Sequence, residues 1–88
     1  MGKNEVRAIY EGRVVFSNWL KGFGNLLIIE HGNSYLSLYG NNDVLNKKEG
    51  DVVAPREIIA TYQQQDQSHM YFEMRYQSKP INPKSWLK

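Results

Sequence analysis

The chain has 88 residues, 41% of them hydrophobic, and a net charge of +2, which describes one small domain burying roughly 60% of the surface its unfolded chain exposes. Its 11 Lys and Arg are scattered from Lys3 to Lys88, without the basic cluster and interleaved aromatics that nucleic-acid binding needs. Cysteine is absent, which excludes a disulfide scaffold and thiolate metal sites, and no apolar run is long enough to span a membrane.

Met1-Gly2-Lys3 runs directly into a strand-like segment and reads as an added start on a piece of a longer protein, with the domain at residues 4–88. Arg13 to Leu20 carries β-branched and aromatic residues behind the turn-forming Glu11-Gly12, a strand signature. Gly22-Phe23-Gly24 breaks it. Leu26-Leu27-Ile28-Ile29 is a short apolar run, as expected of a strand covered on both faces. His31-Gly32-Asn33-Ser34 predicts a hairpin turn. The next stretch alternates, with Leu36 and Leu38 on one side and Tyr35, Ser37 and Tyr39 on the other.

After the loop Gly40-Asn41-Asn42-Asp43, a short helical turn is expected around Val44 to Lys47. Glu49-Gly50-Asp51 turns the chain into strands near Val52-Val53 and Ile58 to Tyr62. Gln63 to Gln67 is a polar loop, residues 69–76 form the last long strand, and Asn82-Pro83 leads into a tail ending Trp86-Leu87. No helical periodicity is sustained over ten residues, so the fold class is all-β, a hairpin-built sheet or sandwich around one core. Val14, Phe16, Leu27, Ile29, Leu36, Leu38, Ile59, Phe72 and Met74 are expected to supply most of that core. Trp19 and Trp86 are expected to anchor core or tail.

Side chains two apart on a strand point the same way. Met70, Phe72 and Met74 therefore face the core, and His69, Tyr71, Glu73 and Arg75 share the opposite face. A His-x-His pair on such a strand can aim both imidazoles at one metal. Here the second histidine is replaced by Tyr71, and a protonated phenol is a poor zinc ligand beside imidazole or thiolate. An ordinary solvent-facing strand has a similar composition, with Arg75 pairing with Glu73. Phe23, between two glycines, is either a loop staple or an aromatic at a groove rim.

Several pieces, in order, resemble the lysostaphin-type (LytM) zinc peptidases that cut peptidoglycan cross-bridges. These are Ala8 to Val15, Trp19 to Asn25, Ile28 to Asn33, Leu38-Tyr39, Gly50-Asp51, His69 to Arg75 and Asn82-Pro83. Ser37-Leu38-Tyr39-Gly40, Tyr71-Phe72-Glu73 with Arg75, and the Asn-Pro-x-x-Trp-Leu ending resemble the family's degenerate, EnvC-like branch of murein hydrolase activators. Active members take a His and an Asp from a segment upstream of the matched region, then the second histidine of His-x-His, where Tyr71 stands. Another active-site histidine of the family follows Leu-Tyr-Ala, and Asn41 occupies it. His31 falls in the family's hairpin motif.

The resemblance implies a periplasmic, non-catalytic domain with no metal and no cofactor, whose partner is an N-acetylmuramoyl-L-alanine amidase switched on during septum splitting. Peptidoglycan is a further partner, and neither nucleic acid nor membrane is expected. Tyr71, Arg75, Phe23 and His69 are the expected partner-binding residues. Two alternatives remain at this point. One is a zinc endopeptidase, or a relic of one that still grips peptidoglycan peptides. The other is a biotinyl/lipoyl-type carrier, whose Gly-Asp-x-Val turns resemble Gly50 to Val53.

Overall fold

The computed structural model describes residues 4–62, 70–77 and 79–81. His69, the Gln63 to Ser68 loop and the tail with Asn82-Pro83 and Trp86-Leu87 lie outside the described residues. The elements are β1 (Asn4–Arg7), β2 (Gly12–Leu20), β3 (Gly24–Gly32), β4 (Tyr35–Asn42), β5 (Val44–Leu45), β6 (Val52–Val53), β7 (Ile58–Tyr62), β8 (Tyr71–Tyr76) and β9 (Lys79–Ile81). All pairings are antiparallel. They form a large sheet in the order β6-β2-β3-β4-β8-β9 and a small sheet in the order β1-β7-β5. The all-β expectation holds.

Local chemistry explains the meander. Asn33 and Ser34 form the two-residue turn between β3 and β4, both with positive φ, at 55° and 70°. Two successive positive φ values match the right-handed twist of the flanking strands. At the other end of β2, Gly50 N–H donates to Val14 O and Val14 N–H donates to Asp51 O. This pair of bonds ties the Gly-Asp turn onto the strand that leads into the site.

The core lies between the two sheets. Val14, Leu27, Ile29, Tyr39 and Val53 of the large sheet meet Val6, Ile59 and Ala60 of the small one, with Phe72 and Met70 packed against them. Met74 is also fully buried.

Several expectations change. Tyr39 joins this core, whereas Leu36 is only partly buried and Leu38, buried as expected at 3%, lies on the opposite face of the large sheet. Cross-strand pairs share a face, and Tyr39 pairs with Leu27 and Phe72, whereas Leu38 pairs with Ile28 and Glu73. A buried phenol needs partners for its hydroxyl. Tyr39 has them in the Ile9 N–H at 3.1 Å and the Ser37 hydroxyl at 2.8 Å. Phe16 also leaves the core. The register of β2 shifts between Val14 and Phe16, and this bulge at Val15 turns Phe16 to the opposite face beside Ile28. Phe72 is only half-buried.

The predicted helical turn at Val44 to Lys47 is instead strand β5, held on β7 by Asp43 N–H to Thr61 O and Asn46 N–H to Ile59 O. Strand β9 is an addition, an edge strand containing Pro80, where a missing N–H costs no ladder bond. Trp19 anchors nothing in the core, being 62% exposed.

Candidate functional site

The outer face of the large sheet carries the stripe expected on β8. Tyr71, Glu73 and Arg75 follow one another at the two-residue period of the strand. They are joined into one ladder. The Tyr71 hydroxyl donates to Glu73 Oε1, and Arg75 Nε donates to Glu73 Oε2 at 2.6 Å. The carboxylate at the centre is well covered and the guanidinium less so, their side chains being 11% and 34% exposed.

The protonation states follow from these contacts. The Arg75 guanidinium holds the Glu73 carboxyl below its ordinary value, and the Tyr71 hydrogen bond adds to this against the opposing effect of burial. Donation to Glu73 raises the Tyr71 phenol above its ordinary value. At neutral pH the ladder therefore reads phenol, carboxylate, guanidinium.

Tyr71 also forms one wall of a depression of about 520 Å³ lined by Gly22, Phe23, Gly24, Asn41 and Tyr71 itself. Phe23 lies edge-on to the Tyr71 ring, with centroids 5.7 Å apart and planes at 64°. The loop is pinned on both sides, Phe23 N–H donating to Leu20 O and Asn41 N–H donating to Phe23 O at 2.6 Å. Gly40 makes this closeness possible. It pairs with Tyr71 across β4 and β8, and a Cβ there would lie 3.1 Å from Phe23 O and 3.4 Å from Tyr71 Cβ. Asn41 takes φ 62°, a left-handed conformation that asparagine tolerates better than most residues.

Of the residues singled out in the sequence, Phe23 and Tyr71 are thus brought together in one depression, with Asn41 beside them. Arg75 stands further along the same face, already paired with Glu73. His69 falls outside the described residues. Phe23 is a rim aromatic, half-buried against Tyr71. Two features have no counterpart in the sequence reading: the close approach at Gly40, and the Tyr71 bond to Glu73 that extends the expected Glu73–Arg75 pair. The Gly40–Tyr71 register has no local sequence signal.

Among the described residues the donor set does not fit a catalytic zinc ion. Such a site needs three good protein ligands and an open water position. Here the two positions that the resemblance assigns to histidines hold a phenol raised away from ionisation and engaged with Glu73, and a neutral amide.

Residues 1–83 match the sequence pattern described as "Peptidase family M23". The chain belongs to peptidase family M23. Among M23 relatives it is 37% identical over 86 residues to the murein hydrolase activator EnvC of Escherichia coli, a match covering 94% of this chain and 20% of EnvC. It is 41% identical over 83 residues to the murein hydrolase activator NlpD of the same organism, covering 91% of this chain and 22% of NlpD. The chain thus spans about a fifth of the length of these M23 relatives. Its fold matches the catalytic domain of lysostaphin from Staphylococcus simulans with a TM-score of 0.84 at 24% identity, over 99% of this chain and 73% of that domain. The lysostaphin-type fold is thereby established, together with similarity to relatives named as activators of murein hydrolases.

Proposed function

We propose that this M23 domain is a non-catalytic activator of periplasmic N-acetylmuramoyl-L-alanine amidases in septal peptidoglycan splitting. It docks the amidase through the face that active relatives use for metal chemistry. The observation that carries this reading is Tyr71, to which the family resemblance assigns a zinc-ligand position and which is committed to Glu73 through its hydroxyl and walled by Phe23 beside Asn41. A groove without its chemistry is still a concave surface, and laying an amphipathic helix into such a groove is a recurrent mode of recognition.

Each residue has a distinct role in this reading. Tyr71 and Phe23 offer a rigid aromatic corner for an apolar side chain of the partner. Arg75 uses Nε and Nη2 on Glu73, and its remaining donors face a partner carboxylate. Tyr71 and Arg75 are roughly 13 Å apart along the strand, a spacing that suits two different turns of a bound helix. His69 completes the set on the sequence reading. The naming of its relatives EnvC and NlpD as murein hydrolase activators supports the same reading.

The test compares wild type with folded Tyr71→Ala and Arg75→Ala variants for amidase binding and for amidase-dependent release of dye from labelled peptidoglycan. Tyr71→Ala should weaken binding by about 2 kcal/mol, roughly thirtyfold. Arg75→Ala should cost less, because a partly exposed charge is screened. Full stimulation by both variants would remove the site from this strand. Stoichiometric zinc together with cleavage of purified peptidoglycan would overturn the non-catalytic reading.

A further inference from the structure

Trp19 lies on the other face of the large sheet from Tyr71, and it is the most exposed aromatic among the described residues, at 62%. The strand register sets it in a row. Trp19 pairs with Asn25 across β2 and β3, and Asn25 pairs with Asn42 across β3 and β4. Paired residues project from one face with Cβ atoms roughly 5 Å apart, so the row runs from an exposed indole to the half-buried Asn25 amide and ends at Asn42, which is buried. Its three side chains are all uncharged.

The amide beside the indole is held in a fixed orientation. Asn25 Nδ2 donates to Asn42 O at 3.0 Å and to Asp43 O at 3.2 Å. Asn42 Nδ2 returns a bond to Asn25 O at 3.1 Å and another to Tyr39 O at 2.8 Å. With both Nδ2 donors of Asn25 committed, its Oδ1 is the remaining group, an acceptor fixed next to the ring. The Trp19 backbone N–H is satisfied by Asn18 Oδ1 at 2.7 Å.

We propose that Trp19 and Asn25 form a stacking site for a neutral N-acetylhexosamine polymer, the glycan strand of peptidoglycan. The C–H face of a pyranose ring lies on the indole, while an acetamido N–H or a ring hydroxyl donates to Asn25 Oδ1. A lipid surface suits the row less well, because a fixed amide acceptor carried into hydrocarbon loses its hydrogen bonds to water and gains none. The identity of the polymer rests on the reading of the domain as a peptidoglycan-directed activator. The site itself is on the opposite face from the groove, so one domain can hold a strand while its other face engages an amidase.

The probe is the soluble hexamer of β-1,4-linked N-acetylglucosamine, titrated into the full chain carrying Trp86→Phe so that Trp19 alone reports. Saturable quenching with a blue shift is expected, with Kd on the order of 1 mM. Trp19→Ala should reduce co-sedimentation with purified sacculi about tenfold, a loss of about 1.4 kcal/mol, and Trp19→Phe should restore part of it. An exposed position leaves the fold intact, which far-ultraviolet circular dichroism checks. Wild-type binding by a folded Trp19→Ala variant overturns the proposal. So does an emission shift seen with phosphatidylglycerol vesicles and not with the hexamer. Tyr71→Ala should keep glycan binding. Glycan binding without amidase stimulation would fail the docking reading alone and support this one.

Discussion

Phe23 packs edge-to-face on Tyr71 across the end of the large sheet, its ring centroid 5.7 Å away. The contact joins the β2–β3 turn to β8, elements that are not hydrogen-bonded neighbours. Edge-to-face pairs contribute about 0.5–1.5 kcal/mol beyond area burial. A double-mutant cycle of Phe23→Ala and Tyr71→Ala, read by urea unfolding, should return a coupling energy in that range. Additive single losses would show that the rings merely lie near one another.

The half-buried state of Phe72 separates two core substitutions. Met74 is fully buried, so Met74→Ala should cost about 2–5 kcal/mol. Phe72 touches the core through Tyr39, with centroids 5.4 Å apart, but keeps part of its surface in contact with solvent. Phe72→Ala should therefore fall at or below the lower end of the roughly 3–5 kcal/mol usual for a fully buried ring. Chemical denaturation of the two variants ranks them directly.

The strands were legible because their signals are local. β-branched runs, glycine-bounded turns and the alternation on β8 each occupy a few consecutive residues. What escaped depends on register. The bulge at Val15 reverses Phe16 relative to Val14, and a one-residue slip moves every following side chain to the other face. Tyr39 was placed outside because alternation counts a phenol as polar, whereas its hydroxyl is satisfied by a buried serine and a backbone N–H far away in sequence. The site was half legible. Tyr71, Phe23 and Asn41 each stood out, but their meeting depends on Gly40 lying opposite Tyr71.

Gly12 was read as a turn residue, and its structural role is close approach. A Cβ there would meet Glu30 O at 2.4 Å and Ile29 Cγ2 at 2.6 Å. The first of these is backbone and cannot move aside without opening the β2–β3 pair. Gly12→Ala should destabilise the domain by about 1–3 kcal/mol through overpacking. Because the added methyl would also lie 3.0 Å from His31 Nδ1, the variant should perturb the His31 ring resonances as well. An unchanged midpoint in urea would contradict the clash.

His31 gives the domain a pH-dependent stability. Its Nδ1 lies 2.7 Å from Glu11 O, its Nε2 lies 2.7 Å from Ser37 Oγ, and Ser37 Oγ is 2.8 Å from Tyr39 Oη, which accepts the Ile9 N–H. A carbonyl only accepts, so Nδ1 carries the proton of the neutral ring. Nε2 then takes the Ser37 hydroxyl, and Tyr39 donates to Ser37. Protonating Nε2 reverses both hydroxyls and leaves the buried Tyr39 O–H without an acceptor among the described residues. Burial lowers the His31 pKa from 6.5, outweighing the opposing effect of the Glu11 carbonyl. The sign follows. Above pH 6.5 both states hold the ring neutral and the stability is fully present. As pH falls through and below that value, the unfolded chain binds a proton that the folded chain resists, and stability declines until the lowered folded pKa is passed. Urea midpoints should therefore drop as pH falls below 6.5 in wild type more steeply than in His31→Gln. Ser37→Ala, which removes the link between His31 and Tyr39, should cost about 1–3 kcal/mol at pH 7 and flatten the same profile. Parallel pH profiles for wild type and His31→Gln would assign the dependence to other groups.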